Sequence, residues 1–389
     1  MTAFDVAIRT QVSFGIGRSR QVGEDVKRLS GQGKAVLVTD PGLVQAGVAG
    51  EVADALRESG VETRLFAEVQ SDPTSDSIDR AADIIRQSEA ACVIGLGGGS
   101  AMDVAKMAAM VAGDRHPAEH YALMAHPFAP KRVATIMIPT TSGTGAEVTS
   151  TVVFSTAEKR KVWGWDRDLA PDLAILDPAL TVKLPPHLTA ATGLDALVHA
   201  MEAAAGKRRN PVIHGLGMKA IQLISRHLLQ AIREPGDLEA RGSLSVGAML
   251  AGLAIEQGGT GIAHCIGHAL GTLARIHHGR AVAIALYHAY AWNAEAAVEV
   301  HAEIARALGV HDTWQDERAL AYAGAEAFAR LVESTGLNLS LKDDGLSLAD
   351  QVRLVEVMQS VENAPMRQNN CRDSTTEDLR RLAEAILSR

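Results

Sequence analysis

The chain has 389 residues, too many for one hydrophobic core, and this points to two domains of roughly 150–200 residues each. Its 47% apolar and 22% charged residues are the balance of a globular protein. A net charge of −8 argues against nucleic acid or an anionic membrane as partner, since both need concentrated positive charge.

In chain order, the first half alternates strand-like and helix-like pieces. KAVLVTD (34–40) is a short β-branched strand that ends in an acidic turn. The apolar spacing of LVQAGVAGEVADALRESG (43–60) predicts one helix closed by Gly60. VETRLFAEV is a second strand, and SIDRAADIIRQSE is amphipathic at helical spacing. ACVIGLGGGS runs from an apolar strand into glycines, AMDVAKMAAMVAG is helical, and VATIMIPTT is another apolar strand. Such alternation implies parallel βαβ units and a sheet covered on both faces.

After LPPH (184–187) strand-like runs become rare. TAATGLDALVHAMEAAAG, NPVIHGLGMKAIQLISRHLLQAI, SLSVGAMLAGLAIEQGG and AEAFARLVES all read as helices. Pro185 and Pro186 make continuous helix or sheet improbable there, so the boundary is placed beside them. The expected architecture is an α/β nucleotide-type domain with a Rossmann-like parallel sheet over 1–185, followed by an all-α domain over 186–389. No internal repeat or low-complexity tract is evident.

Three sparse cysteines, Cys92, Cys265 and Cys371, read as free thiols in a reducing compartment. The N-terminal MTAFDVAIRTQVSFG has no long apolar core of a signal peptide, and no run of about 20 uninterrupted apolar residues occurs. The expected setting is the cytoplasm, with no membrane span.

GLGGGS (95–100) joins a strand to a helix. Without side chains the backbone can approach a pyrophosphate, and the N–H groups of the next helix then face the anion. Ser100 is a candidate cap, and Asp103 can bind its own first turn. The pattern departs from the usual dinucleotide fingerprint: serine stands at the third glycine, and the loop follows a later strand. In IPTTSGTGAEVTS (138–150), Thr140, Thr141, Ser142 and Thr144 offer hydroxyls to a ribose, phosphate or amide. Asp40 ends the first strand, where a carboxylate accepts from ribose hydroxyls and repels a 2′-phosphate, favouring NAD over NADP.

The second half carries imidazoles. Asp195 and His199 are four apart on one helix face, and so are His264 and His268. Two such pairs on apolar helices, with His277 and His278 close behind, point to a divalent metal. One straight helix over 264–278 would rise about 21 Å and forbid a shared ion. Gly271 is the expected helix end that lets the chain turn back. Spacing alone selects His264 with His268, and leaves His277 and His278 undecided. His214, His227, His288, His301 and His311 have no evident partner and read as structural or exposed. Cys265 points about 100° away from His264 and reads as core.

GGGSAMDVAK, IPTTSGTGAEVTS, LDPALTVKLPPHLTAATGLDALVHAMEA and IAHCIGHALGTLARIHHGRAVAIAL together resemble the iron-containing (group III) alcohol dehydrogenases. The resemblance runs from about residue 10 to TTEDLRRLAEAIL near the C-terminus. It implies a dehydroquinate synthase-like two-domain architecture and a metal held by Asp195, His199, His264 and His278. His268 is then no ligand but a proton carrier beside the substrate. It implies that Asp40, Gly98, Gly99, Ser100, Asp103, Thr140, Thr141, Thr144, Lys161 and Leu180 line NAD, with Asp72 at a position where the family often has asparagine. The implied activity is NAD(H)-dependent, metal-assisted hydride transfer between a small alcohol and its aldehyde or ketone, by a homodimer. The family implies Fe²⁺, and three imidazoles with one carboxylate also suit Zn²⁺ or Mn²⁺.

Four residues at three places depart from the family pattern. His277 replaces a proline, Cys371 replaces the proline of an Asn-Pro-Arg motif in NNCRDST, and Ile255–Glu256 stands where relatives place a bulky apolar wall. A dehydroquinate synthase-like lyase is the alternative reading. It needs Lys and Arg around a phosphate-bearing substrate, and the metal-bearing helices are poor in both. A non-catalytic metal-binding scaffold is a third.

Overall fold

The computed structural model describes residues 3–31, 33–311 and 316–389. Its contacts divide the chain into two units, Ile8–Leu184 and Pro185–Arg389, the second taking in the leading segment that ends at Ala7.

The α/β unit begins with β1 (Gln11–Phe14), α1 (Val22–Ser30), β2 (Lys34–Val38), α2 (Pro41–Gln45), α3 (Val48–Glu58) and β3 (Glu62–Phe66). It continues with α4 (Ser75–Ser88), β4 (Cys92–Gly97), α5 (Gly99–Val111), β5 (Ala134–Pro139), β6 (Thr151–Ser155), β7 (Lys161–Trp165) and β8 (Leu173–Leu176). Six strands form one sheet in the order β1-β8-β5-β4-β2-β3, and every pairing is parallel. Alternate residues of β2 serve opposite faces. Val36 and Val38 pack with Ile78, Ala82 and Val104 under α4 and α5, while Ala35 and Leu37 pack with Val26, Val52 and Leu56 under α1 and α3. Burial on both faces is why β2, β4 and β5 read as continuous apolar runs.

Two local expectations change. The helix expected over 43–60 is two helices, because Gly47 adopts a left-handed φ of 79° and caps α3. The β6–β7 hairpin is antiparallel and stands outside the main sheet; no alternation signal had marked it.

The second unit comprises α6 (Pro186–Ala205), α7 (Pro211–Arg233), α8 (Leu238–Gly258), α9 (Ile262–Leu273), α10 (His278–Ala296), α11 (Val298–Ala307), α12 (Glu317–Ser334), α13 (Gln351–Met358), α14 (Ala364–Asn369) and α15 (Thr376–Leu387). α6 opens on Pro186, whose fixed φ suits a first helical position, and is apolar around nearly its whole circumference. It is the central helix, packed by α7, α8 and α10. α8 has the length and composition of a membrane span, but 61% of its apolar window is buried inside this unit against α6 and α7, as in a core helix. The leading segment joins this unit through Gln257, whose Nε2 donates to Ala7 O at 3.1 Å.

Candidate active site

In the α/β unit, β2 connects outward to β3, whereas the chain after β4 proceeds to β5 on the other side. The strand order therefore reverses between β2 and β4, where ligands of such sheets bind, beyond the carboxyl ends. The residues at this switch point are Asp40, after β2, and the glycine loop after β4. Asp40 caps α2, its Oδ1 accepting from Leu43 N at 3.0 Å. A side chain at Gly97 would lie 3.5 Å from Asp40 Oδ2, so carboxylate and loop are neighbours.

The loop is held close to the one after β5. Thr140 N donates to Gly97 O at 3.0 Å. A Cβ at Gly99 would stand 2.8 Å from Thr144 Cγ2, and one at Gly98 would stand 3.5 Å from the Thr141 side chain. α5 starts on Gly98 with no side-chain cap, so Ser100 does not cap it. Asp103 does not bind its own first turn either: its Oδ2 accepts from Val153 N of β6 at 2.9 Å. Its partner Lys106 is fully buried and donates to Ala146 O, Thr149 O and Thr151 O at 3.0, 3.2 and 2.7 Å. Lys106 Nζ is 3.1 Å from Asp103 Oδ1. Burial raises the Asp103 pKa against the pull of Lys106, Val153 N–H and Lys161. The knot fixes the chain from Ala146 to Val153, which follows the Thr140–Thr144 loop, to α5. Asp72 accepts from Ser155 Oγ at 3.1 Å and pairs with Lys161 at 3.4 Å. Leu180 is buried in the apolar cluster that contains Ile94, Leu96 and Ile138.

Glu147, in the same loop region, was not singled out by its sequence setting. It is buried, and burial pushes its carboxyl up to about 7.

In the helical unit, Asp195 and His199 project from one face of α6, and both are buried. His264 is buried on α9, His268 is half-buried one turn later, and His278 opens α10. α9 runs past Gly271 to Leu273, so that glycine does not end it. The turn lies at 274–277, where Ala274 takes extended backbone with φ −147° and ψ 161°. His278 returns to α6 because Gly279 has no side chain: a Cβ there would be 2.2 Å from Ala191 O and 3.2 Å from Asp195 Cβ. His277 precedes it, exposed at the helix cap.

The result is convergence on one oxygen. His199 Nε2, His264 Nε2 and His278 Nε2 stand 3.9, 3.8 and 3.7 Å from Asp195 Oδ1. Asp195, His199 and His264 offer ligand atoms that all lie within 4.8 Å of one another. Bonds of about 2.0–2.2 Å to a divalent ion put its donors roughly 3–4 Å apart, so these side chains fit one. Asp195 Oδ1 and His264 Nε2 are buried and hydrogen-bond to no described residue, a costly arrangement that a cation relieves. The His268 ring is 5.2 Å from that of His278 and 6.4 Å from that of His264, beside the cluster.

Glu202 was not anticipated. Buried two turns along α6 from Asp195, it meets His264 Nδ1 at 2.6 Å. Burial lowers the His264 pKa, but Glu202, their hydrogen bond and Asp195 outweigh it and leave the pKa raised. In NNCRDST, Asn369 Nδ2 donates to Gly258 O and Thr260 O, and Asn370 Oδ1 accepts from Ile262 N, so the segment latches the α8–α9 junction. Glu256 is half-buried. His214 pairs with Glu303 at 2.5 Å, His301 Nδ1 is 2.8 Å from Ala297 O, and Cys265 is buried, its Sγ donating to Met358 O.

A parallel sheet with two small-residue loops at its switch point, in a chain whose helices also gather a carboxylate and imidazoles, suits a class of oxidoreductases that combine a dinucleotide with a divalent ion. The chain belongs to the iron-containing alcohol dehydrogenase family. Residues 9–178 match the iron-containing alcohol dehydrogenase model, and residues 189–387 match the C-terminal model of the Fe-containing family. Long-chain-alcohol dehydrogenase 1 of Geobacillus thermodenitrificans is 36% identical, covering 85% of this chain and 84% of that protein. The NAD-dependent methanol dehydrogenase of Bacillus methanolicus is 32% identical, covering 96% of this chain and 97% of its own. The crystal structure of a 1,3-propanediol oxidoreductase superposes with a TM-score of 0.93 at 31% identity, over 99% of this chain and 100% of that one. None of these findings favours the dehydroquinate synthase-like lyase.

Proposed function

We propose that the chain is an NAD-linked, metal-dependent alcohol dehydrogenase and aldehyde reductase. It moves a hydride between a small alcohol and nicotinamide. The observation that carries this reading is the buried Asp195 Oδ1 with three imidazole nitrogens 3.7–3.9 Å away. Asp195, His199, His264 and His278 would hold the ion, Fe²⁺ by family and Zn²⁺ or Mn²⁺ by donor type. When bound, the ion supplies Lewis-acid polarisation of the substrate oxygen. His268, half-buried beside the cluster, takes the alcohol proton or returns it.

The α/β unit, to about residue 185, binds the cofactor, which carries the hydride chemistry itself. N–H groups at the start of α5, from Gly98, Gly99 and Ser100, would bind the pyrophosphate. Thr140, Thr141 and Thr144 supply hydroxyls from the adjoining loop. Asp103, with Lys106, anchors the chain that follows that loop; Asp72 would approach the adenosine, Lys161, paired with it, would line the cofactor, and Leu180 would offer apolar contact. Asp40 receives ribose hydroxyls and disfavours a 2′-phosphate. The relative named as NAD-dependent agrees with that preference. The enzyme works in the cytoplasm as a homodimer, and the free Cys92, Cys265 and Cys371 accord with a reducing compartment.

The test is a panel of small alcohols and aldehydes with NAD(H) and NADP(H), on protein reconstituted with Fe²⁺ or Zn²⁺. NADH formation is expected in the loaded protein and its loss in Asp195→Ala and His264→Ala. Stoichiometric metal binding without any nicotinamide turnover across the panel would overturn the reading. Sedimentation of the same protein tests the dimer.

A further inference from the structure

His264 must present one nitrogen to the ion as a lone pair. An imidazole has two tautomers, and what the second nitrogen meets decides between them. Here it meets Glu202. Both carboxylate oxygens of that residue are engaged. Oε2 accepts from Gly261 N at 2.8 Å, Oε1 accepts from Ala263 N at 2.6 Å, and Oε2 lies 2.6 Å from His264 Nδ1. Both oxygens already accept from backbone N–H groups, so Glu202 faces the ring as an acceptor and the His264 proton sits on Nδ1. Nε2 is then the lone-pair nitrogen, and it is the atom 3.8 Å from Asp195 Oδ1.

The local sequence is arranged around this contact. Asp195, His199 and Glu202 are spaced i, i+4 and i+7 and so share one stripe of α6. The stripe meets the first turn of α9, whose N–H groups have no partner within their own helix. Glu202 satisfies Gly261 N and Ala263 N, and Asn370 Oδ1 takes Ile262 N at 3.1 Å. Gly261 leaves room for both: a Cβ there would stand 3.0 Å from Glu202 Oε1 and 2.8 Å from Asn370 Oδ1.

We propose that Glu202 is a positioning residue of the metal centre, holding His264 as the Nδ1–H tautomer with Nε2 aimed at the ion. The inference rests on the metal reading above. Such outer partners raise ligand basicity and fix ring orientation, and their loss typically costs 10–100-fold in metal affinity.

The test is Zn²⁺ titration of wild type, Glu202→Gln and Gly261→Ala in competition with a chromophoric chelator, with circular dichroism of each protein. Glu202→Gln keeps the shape but turns a donor or a neutral acceptor toward His264. Both variants are expected to be folded and to bind Zn²⁺ about 10–100-fold more weakly than wild type. A folded Glu202→Gln that binds as tightly as wild type overturns this inference and leaves the metal reading standing. A wild type that binds no Zn²⁺ overturns both. Should Glu202→Gln not fold, ¹⁵N spectra of zinc-loaded, histidine-labelled wild type decide. Zinc on His264 Nε2 with a proton on Nδ1 supports the assignment, and zinc on Nδ1 refutes it.

Discussion

Glu147 brings a carboxyl into the interior of the α/β unit, and burial sets its pKa at about 7 against an ordinary 4.5. Between those values the folded form keeps a proton that the unfolded chain has lost. Its contribution to stability is therefore complete below pH 4.5 and is lost as pH rises to about 7. The difference corresponds to roughly 3 kcal/mol. Glu147→Gln should unfold at a higher temperature than wild type at pH 8, with the gap closing toward pH 5, in thermal melts across that range. Glu147 and Glu202 show where single residues escape a reading of sequence. A helical repeat tells that 195, 199 and 202 share a stripe. It does not tell that the stripe faces the first turn of α9, which depends on packing between segments 59 to 62 residues apart. Asp195, His199 and His264 were visible because two i, i+4 pairs of metal-binding residue types are an uncommon pattern on apolar helices.

At the scale of elements, α6, α9 and α10 meet through residues that lack side chains. Gly267 on α9 packs against Val282 of α10, and Gly279 on α10 packs against the backbone of α6 at Ala191. Gly279→Ala would force a methyl to 2.2 Å from a carbonyl oxygen, so the start of α10 must withdraw and carry His278 with it. The expected outcome is a loss of about 1–3 kcal/mol in denaturant unfolding, with weaker Zn²⁺ binding in the same chelator competition. The longer amphipathic or apolar helices and strands β2, β4 and β5 were legible from their periods and apolar runs, whereas β8, four residues between β1 and β5, was not read. The break at Gly47 was not: apolar spacing continues across it, and only the left-handed φ reveals the cap. Gly271 misled in the opposite sense, since a glycine inside a helix costs only about 1 kcal/mol and packing carries α9 past it. The β6–β7 hairpin went unread because TVVFS and KVWGW lie in a turn-rich stretch outside the βαβ alternation.

For the whole chain, length pointed to two cores, and the alternation of strand-like and helix-like runs before LPPH (184–187), with strand-like runs rare after it, foretold a parallel α/β sheet together with an all-helical part. What they could not foretell was ligand dependence of stability. Two of the orphaned polar atoms, Asp195 Oδ1 and His264 Nε2, belong to residues flanked along the chain by members of the main apolar cluster of the helical unit, Leu194, Ala196, Ala263 and Cys265. Stripping the metal should leave that unit the weaker under heating. Restoring Zn²⁺ at a hundredfold excess over Kd should return about 2.7 kcal/mol, read as a rise in Tm by calorimetry. A melt indifferent to metal would mean that these atoms are satisfied in another way.

Asp195, His199 and Glu202 occupy barely two turns of α6. Deleting or inserting one residue anywhere between them would swing the residues beyond the change by about 100° around the axis. Length variation in descendants of this gene is thereby barred from an eight-residue window while remaining open in its surface turns. The same arithmetic suggests that the window could be moved as a block into another buried helix of equal pitch, bringing two donors and one brace in a single graft.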